Sequence, residues 1–218
     1  MMNLLIDVLP YTVMVGGTEY PINTDFRASV LFELLVQDVD VPEYDRIMAA
    51  IDLYFMGNTP EEDLVDIMNA ILWFYRCGKD KKKSGNEEED PQEEQAEPIA
   101  YSFEYDADYI YAAFRQQYGI NLNTVDHLHW WEFRAMFTGL TQDCEFVKIM
   151  GYRVTKITKD MSKTEKAFLR KMKSVHALPV SKKEQEEHDA LVDALMNGGD
   201  LTGLIDHGGS DARKEDAG

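Results

Sequence analysis

The feature that most constrains this fold is a polar interruption, residues 78–98, in a chain that is otherwise patterned for helices. It reads GKDKKKSGNEEEDPQEEQAEP and contains no large apolar side chain. A segment of this composition cannot bury enough apolar surface to offset the entropy that ordering costs. It is therefore predicted to be a flexible acidic linker, with docking to a basic partner as the alternative. The linker separates an N-terminal part, residues 1–77, from a second part, residues 99–178.

The N-terminal part is predicted to begin with a β-hairpin. Two short β-prone runs flank Gly16-Gly17, and consecutive glycines supply the positive φ angles of a two-residue hairpin turn. Apolar residues then recur at helical spacing after Thr24, which is a candidate N-cap, and again from about Glu43. Two helices are therefore expected after the hairpin.

A third helix is predicted from the clearest start signal in the chain. Asn58 to Glu62 read NTPEE, which places a capping residue, a proline and acidic side chains in one first helical turn. Apolar residues then repeat at helical spacing until Cys77-Gly78 ends the pattern. The helix is expected to span most of the residues before the linker.

The second part of the chain is predicted to be an aromatic-rich helical region. Asp106 or Asp108 is expected to begin a helix that Gly119 ends as a left-handed cap. Thr124 or Asp126 is expected to begin the next helix, DHLHWWEFRAMFTGL, which is apolar nearly all round. This helix should be central to a core, or half core and half interface.

A capping box and a polar stretch characterise the C-terminal residues. Ser162 and Glu165 have the S-x-x-E spacing in which each side chain can bind a backbone N–H of the other residue. From Ser181 the first helical turns are wholly polar, and the last residues are rich in glycine and charge. Residues 179–218 are therefore predicted to be a weakly docked helix followed by a disordered tail.

These patterns together predict a mainly α-helical protein with a small N-terminal β-hairpin and an acidic disordered insertion. Both helical parts, residues 1–77 and 99–178, are expected to share one core around Trp130-Trp131. The linker is then an excursion from that core.

Aromatic side chains are concentrated in the second part of the chain, where thirteen lie from Tyr101 to Tyr152. They can fill a core, or they can line an interface for an amphipathic partner, because aromatic residues are favoured as rigid contact anchors. Both interpretations can hold together. The candidate partner-binding residues are Tyr109, Phe114, Trp130, Trp131, Phe133 and Phe137.

The formal net charge of −18 argues against general nucleic-acid binding, which needs a cationic surface. The charge is unevenly distributed. Residues 1–77 carry 13 acidic and 3 basic side chains, whereas residues 148–183 carry 11 basic and 2 acidic ones. The basic stretch is either a solvated surface or a surface for an acidic protein partner or, less favoured, for nucleic acid. Head-to-tail self-association is a further hypothesis. One exposed helical face is expected to hold Lys159, Lys163, Lys166 and Arg170.

Motifs for catalysis and cofactor binding are missing from the sequence. It contains no Gly-rich phosphate loop, GxSxG, HExxH or EF-hand spacing. On a helix His127 and His129 point about 200° apart, so both could bind one metal ion only if the segment were extended. Cys77 and Cys144 indicate neither a disulfide framework nor a zinc site. We therefore expect a protein without enzymatic activity, metal or cofactor.

Nothing in the sequence indicates a membrane segment or an export signal. No apolar run approaches the roughly 18–20 residues of a membrane-spanning helix. The N-terminal residues carry Asp7 in place of an initial positive cluster and run into a strand-like pattern. A soluble, intracellular protein without a membrane partner is the expectation.

Several short motifs carry a resemblance to a known family. They are DFRASVLFELL at 25–35, DYIYAAF at 108–114, YGI at 118–120, LHWWEF at 128–133, FTGL at 137–140 and GYR at 151–153. These motifs resemble the bacteriophage gene-product-fifteen family, found in tailed phages and prophages of Gram-positive bacteria. The resemblance covers about residues 5–175, apart from the linker.

The resemblance implies a function in phage tail morphogenesis. Members of this family resemble tail assembly chaperones, which coat the long, hydrophobic, helical tape measure protein before the tail tube polymerises around it. The resemblance therefore implies a non-enzymatic chaperone in the host cell cytoplasm that binds the tape measure protein, itself and other tail proteins. The alternative is a structural tail component, such as a completion or connector protein, retained in the virion. No catalytic or cofactor residues carry over from the family.

Overall fold

The computed structural model describes residues 3–38, 40–79 and 98–179. Within these ranges the fold is mainly α-helical with an N-terminal β-hairpin, which confirms the predicted fold class. The acidic linker and the C-terminal helix and tail were predicted almost entirely for residues 80–97 and 180–218, which lie outside the described residues.

The described elements are two strands and seven helices. The strands are β1 (Thr12–Val15) and β2 (Thr18–Pro21). The helices before the linker are α1 (Phe26–Gln37), α2 (Glu43–Phe55) and α3 (Leu64–Tyr75). The helices after it are α4 (Ala107–Tyr118), α5 (Trp130–Thr138), α6 (Glu145–Val154) and α7 (Lys163–Val175).

These residues divide into two compact units. Unit 1 comprises residues 3–38, 40–79 and 128–131, and unit 2 comprises residues 98–127 and 132–179. The chain therefore enters unit 1 a second time for a short segment that includes the first residues of α5. Trp130-Trp131 lie in that segment, and the single core predicted around them stays a prediction.

The hairpin of unit 1 forms as its glycine pair predicts. β1 and β2 are antiparallel, with Val15 opposite Thr18. Gly16 and Gly17 have φ angles of 54° and 88°, which residues with a Cβ adopt only with strain. A Cβ on Gly16 would also lie 2.7 Å from Cγ of Glu62, so any larger residue there would have to displace the Glu62 side chain.

The core of unit 1 contains polar side chains that are paired within it. The Tyr54 and Ser29 hydroxyl groups are 2.9 Å apart, and both side chains are buried. Burial raises the pKa of Tyr54, so the phenol stays protonated. The Tyr75 hydroxyl donates to the buried Glu33 carboxylate. The surrounding apolar side chains with least exposure include Phe32, Phe55, Phe74, Ile51, Ile67, Ile71 and Leu72.

The N-cap predicted for α1 is wrong by one residue. Asp25 is the N-cap, and its Oδ1 accepts a hydrogen bond from the Arg27 N–H at 3.0 Å. The predicted cap, Thr24, uses its carbonyl oxygen to accept from the Trp130 N–H at 2.8 Å. Thr24 therefore precedes the helix by two residues and pairs through its backbone with a residue about 100 positions later.

The start predicted for α3 from the NTPEE segment is also wrong. The helix begins after Asp63, whose Oδ1 accepts from the Val65 N–H at 2.8 Å. Both carboxylate oxygens of Glu62 instead accept from the Tyr20 hydroxyl, at 2.9 and 3.0 Å. This hydrogen bond raises the pKa of Tyr20 and holds Glu62 against the hairpin, ahead of the helix.

The core of unit 2 is built from aromatic rings. Phe114 of α4 stacks on Phe133 of α5, with ring centroids 4.8 Å apart. Phe137 contacts the ring of Phe146 in α6 and that of Tyr101, at 5.4 and 5.0 Å. These contacts link four parts of the unit. Aromatic pairs of this kind add about 0.5–1.5 kcal/mol each beyond the area that they bury.

Two helix signals in unit 2 are confirmed. Gly119 is the left-handed C-cap of α4, with φ of 69°. Ser162 and Glu165 form the predicted capping box of α7, in which each side chain accepts from the backbone N–H of the other residue. The hydrogen bonds from Ser162 lower the pKa of Glu165.

A buried ion pair joins several elements of unit 2. The Arg153 guanidinium donates from Nη1 and Nη2 to the two carboxylate oxygens of Asp106, at 2.6 and 2.8 Å. Arg153 also donates to the carbonyl oxygens of His176 and Ala100, at 2.7 and 3.1 Å. The guanidinium therefore ties the end of α6 to the start of α4, the end of α7 and the segment before α4.

Arg153 was expected to contribute to a basic surface, and the structure corrects that expectation. Its side chain is buried against Asp106, so its charge is neutralised inside unit 2. Lys159 also departs from the predicted helical face, because it precedes α7 and its carbonyl oxygen accepts from Lys166 Nζ at 2.9 Å. Lys163 and Arg170 do lie exposed on α7.

Replacing Met56 with glycine is expected to stabilise unit 1 by about 1 kcal/mol. Met56 is the C-cap of α2 with φ of 52°, and its side chain is exposed. Glycine removes the strain of this left-handed conformation and loses little burial. Urea unfolding followed by helical circular dichroism checks the gain. The adjacent Gly57, with φ of 82°, is the control, because Gly57→Ala should destabilise the unit. Destabilisation by Met56→Gly would contradict the argument.

Candidate functional site

Residues 128–131 form a segment of unit 1 that binds the start of α1 through its backbone. The Phe26 N–H donates to the Leu128 carbonyl at 2.9 Å. The Trp130 N–H donates to the Thr24 carbonyl at 2.8 Å. The segment is thus held in place by two backbone hydrogen bonds between parts of the chain that are about 100 residues apart.

This pairing moves the start of α5 to Trp130 from the predicted Thr124 or Asp126. His129 forms an antiparallel β-bridge with Asp25, so it is extended and not helical. A residue that pairs as a strand cannot also belong to the helix. The predicted helix therefore loses its first turns to a tertiary contact.

The two indole groups of the segment cap the end of α3. Trp130 Nε1 donates to the Tyr75 carbonyl and Trp131 Nε1 donates to the Phe74 carbonyl, both at 2.8 Å. The last carbonyl groups of a helix have no partner within it, and the indole N–H is a donor only, so the indoles supply donors at this helix end. The Phe74 carbonyl also accepts from the Cys77 N–H at 3.0 Å. Gly78 permits this approach, because a Cβ there would lie 2.8 Å from the Trp131 ring.

His129 connects the same segment to the residues that precede β1. Its Nδ1 accepts from the Trp131 N–H at 3.1 Å, and its Nε2 lies 3.0 Å from the Pro10 carbonyl oxygen. A carbonyl only accepts, so Nε2 carries the proton and the ring is the neutral Nε2–H tautomer. The Tyr11 ring packs edge-on against the His129 ring, with centroids 5.6 Å apart.

The histidine pair predicted to be unsuited to a metal is divided between surface and interior. His127 is exposed, whereas His129 is buried with both ring nitrogens engaged. Among residues 3–38, 40–79 and 98–179, no group of three or more His, Cys, Asp or Glu side chains is arranged to hold a metal ion.

An apolar arm, defined as residues 3–8, lies ahead of the point that His129 anchors. Leu5, Ile6 and Val8 are 90%, 79% and 83% exposed, and Leu4 is 45% exposed. The Ile6 and Asp7 N–H groups donate to the Asn3 carbonyl, so the arm forms a hydrogen-bonded turn. Single exposed apolar residues are normal, but a contiguous group of them marks an interaction surface. The arm is the candidate functional site of unit 1.

The six residues predicted to contact a partner lie in both units. Tyr109 is partly exposed on α4, and the others are buried in the described conformation: Phe114, Trp130, Trp131, Phe133 and Phe137. The apolar area of these five side chains is already covered in the described structure. Partner contact by the six stays a prediction, and the arm offers apolar surface that is accessible without any rearrangement.

The sequence signal for the arm is its run of aliphatic residues, which also suits a strand. Four aliphatic residues occur between Leu4 and Val8, a pattern that was read as leading into a strand. The strand begins only at Thr12, after Pro10 and Tyr11 have been fixed by His129. In the part of the chain that the structure describes, the arm therefore forms no strand, although its sequence is strand-like.

The described residues define a class of protein: a mainly α-helical chain of two compact units. In unit 1 the segment His129-Trp130-Trp131 binds the end of α3, and the apolar arm is exposed. A family model described as bacteriophage Gp15 protein matches residues 5–178. The chain belongs to this family and is a bacteriophage protein, which confirms the resemblance. Comparisons with curated proteins and with solved structures give no significant match. In the part of the chain that the structure describes, no helix has the length and hydrophobicity needed to span a membrane.

Proposed function

We propose that this protein is a phage tail assembly chaperone that binds the tape measure protein through its apolar arm. It acts in the host cell cytoplasm, before tail assembly, and catalyses no reaction. Membership of the Gp15 family supports a role in tail morphogenesis. The observation that carries the proposal is the exposure of Leu5, Ile6 and Val8.

The arm has the properties that a holding chaperone requires. Full burial of one aliphatic side chain contributes about 1.5–3 kcal/mol, so a few of them suffice for reversible binding to an apolar helical client. Exposed apolar surface also promotes aggregation, which a strong net charge opposes. The formal charge of −18 therefore keeps a complex with an apolar client in solution.

A variant with Leu5→Ser, Ile6→Ser and Val8→Ser is expected to fold normally and to lose the client. Each side chain is at least 79% exposed, so folding gains little from it. Loss of about 1 kcal/mol of contact per residue weakens binding about a hundredfold. The measurement is the soluble fraction of the tape measure protein when the two proteins are co-expressed, together with pull-down from the soluble fraction.

The matched control replaces three exposed apolar residues of α1 and α2. Leu31, Tyr44 and Met48 are 52%, 54% and 37% exposed, and their triple serine variant should keep the client soluble. The proposal fails if wild-type protein does not improve tape measure solubility. The assignment to the arm fails if the two triple variants behave alike.

Peptide mapping of purified virions separates the proposal from its alternative. A chaperone leaves before the tail is complete and should be missing from the particle. A structural tail component, such as a completion or connector protein, should be present in a fixed copy number. Its presence at one copy per ring subunit would support that alternative.

A further inference from the structure

A groove of about 450 Å³ lies in unit 1 between the hairpin and α3. Met14 of β1 and Trp73 of α3 line it, and both side chains are partly exposed. Glu19 and Asp66 place carboxylates at the same groove. Its volume is in the range of binding sites. Its lining combines apolar side chains with two carboxylates and the polar Thr12 and Asn69, which favours an occupant that is partly apolar and positively charged.

The outer face of α7 has the complementary properties. Phe168, Lys171 and Val175 follow spacings of three and four, which aligns them on one side of the helix. Phe168 and Val175 are 53% and 62% exposed, whereas Leu169 is buried on the inner side. The outer face of α7, defined by Phe168, Lys171 and Val175, is thus an apolar stripe with a lysine within it.

The uneven distribution of charge along the chain favours contact between these two surfaces. Residues 1–77, which include the groove, carry 13 acidic and 3 basic side chains. Residues 148–183, which include α7, carry 11 basic and 2 acidic ones, although Asp106 neutralises the charge of Arg153, one of the 11. The net charge of −18 repels two copies at long range, but the acidic part of one copy attracts the basic part of the other once they are in contact.

We propose that the outer face of α7 docks in the hairpin groove of a second copy of this chain. Phe168 lies between Met14 and Trp73 of the other copy, and Lys171 pairs with its Asp66. The two surfaces differ, so the contact is head-to-tail and can extend beyond a dimer. The contact does not involve the apolar arm and does not depend on the proposed chaperone function.

Sedimentation velocity of the full chain over a concentration series tests the association. The average mass should rise with concentration at about 0.1 M salt. At about 1 M salt, where the Debye length falls from about 10 Å to about 3 Å, the association constant should drop at least tenfold. A protein that stays monomeric at every concentration, or an association indifferent to salt, overturns the proposal.

Charge reversals locate the contact. Asp66→Lys and Lys171→Glu should each weaken association at least tenfold, and combining them in one chain should restore it to within about threefold. The control is Asp45→Lys, the same charge change at an exposed position of α2 outside the groove. An Asp45→Lys effect as large as that of Asp66→Lys, or a double variant no better than the single ones, overturns the contact.

A photo-crosslinking residue in place of Trp73 distinguishes the occupants of the groove. Capture of α7 from a second copy, identified by mixing isotopically light and heavy protein, supports the proposal. Capture of the α7 of the same chain, or of the tape measure protein in the absence of any dimer, overturns it.

Discussion

Trp130→Ala is expected to destabilise unit 1 by about 4 kcal/mol. The side chain is fully buried, and its ring stacks on Tyr75 at a centroid distance of 5.3 Å. Truncation leaves a large cavity and removes the indole donor to the Tyr75 carbonyl at the end of α3. The loss therefore combines the transfer free energy of an aromatic ring with an unmade hydrogen bond in the interior.

Amide hydrogen exchange is the appropriate measurement, because it reports on unit 1 separately from unit 2. A loss of about 4 kcal/mol should accelerate exchange of the core amides of α3 by about a thousandfold. Trp130→Phe keeps most of the ring and loses the donor, so it should cost about 1–3 kcal/mol. Val65, 39% exposed on α3, is the control, and Val65→Ala should cost under about 1 kcal/mol because it removes little buried area and alanine favours the helix. If Trp130→Phe and Trp130→Ala destabilise unit 1 equally, cavity formation is not the main cause of the lost stability.

The elements that sequence reasoning predicted correctly depend on signals that lie within a few residues. Gly16-Gly17 specify the hairpin turn, Gly119 ends α4, and Ser162 with Glu165 begin α7. In each case the residues that bond to one another are neighbours in the chain, so composition and spacing suffice to identify them.

The errors occur where a distant partner competes with a local signal. Glu62 has the sequence context of a first helical turn but binds Tyr20 of the hairpin. His129 lies in a helical pattern but pairs with Asp25, more than 100 residues earlier. Spacing along the chain carries no information about such partners, so the starts that it predicted for α3 and α5 were wrong.

The sequence could not show which apolar residues are accessible, for a related reason. An aromatic-rich sequence is equally suited to a core and to an interface, and only the packing of the units decides between them. The structure buries Phe114 and Phe133 against each other, whereas it exposes Leu5 and Ile6 in the arm. Apolar character was therefore predictable from the sequence, and accessibility was not.

Arg153→Met is expected to destabilise unit 2 by about 3–5 kcal/mol. Methionine fills much of the volume of the arginine stem, but it leaves the Asp106 carboxylate buried without its cation. The side chains of Arg153 and Asp106 are only 8% and 1% exposed, so water cannot take the place of the guanidinium. A buried charge deprived of its partner is among the most costly single changes in a protein interior.

A second substitution separates the unpaired charge from the lost hydrogen bonds. In the Arg153→Met, Asp106→Asn variant the remaining side chain is neutral, and its oxygen can still accept from the Ser102 N–H, as Asp106 does at 2.9 Å. The double variant should therefore be more stable than Arg153→Met by about 1–2 kcal/mol, although it carries one more change. Hydrogen exchange of the α4 and α6 amides measures both. The exposed Arg170 is the control, and Arg170→Met should change stability by under about 0.5 kcal/mol. If the double variant is no more stable than Arg153→Met, the cost lies in the bonds that Arg153 donates to the Ala100 and His176 carbonyls, and the ion pair itself contributes little.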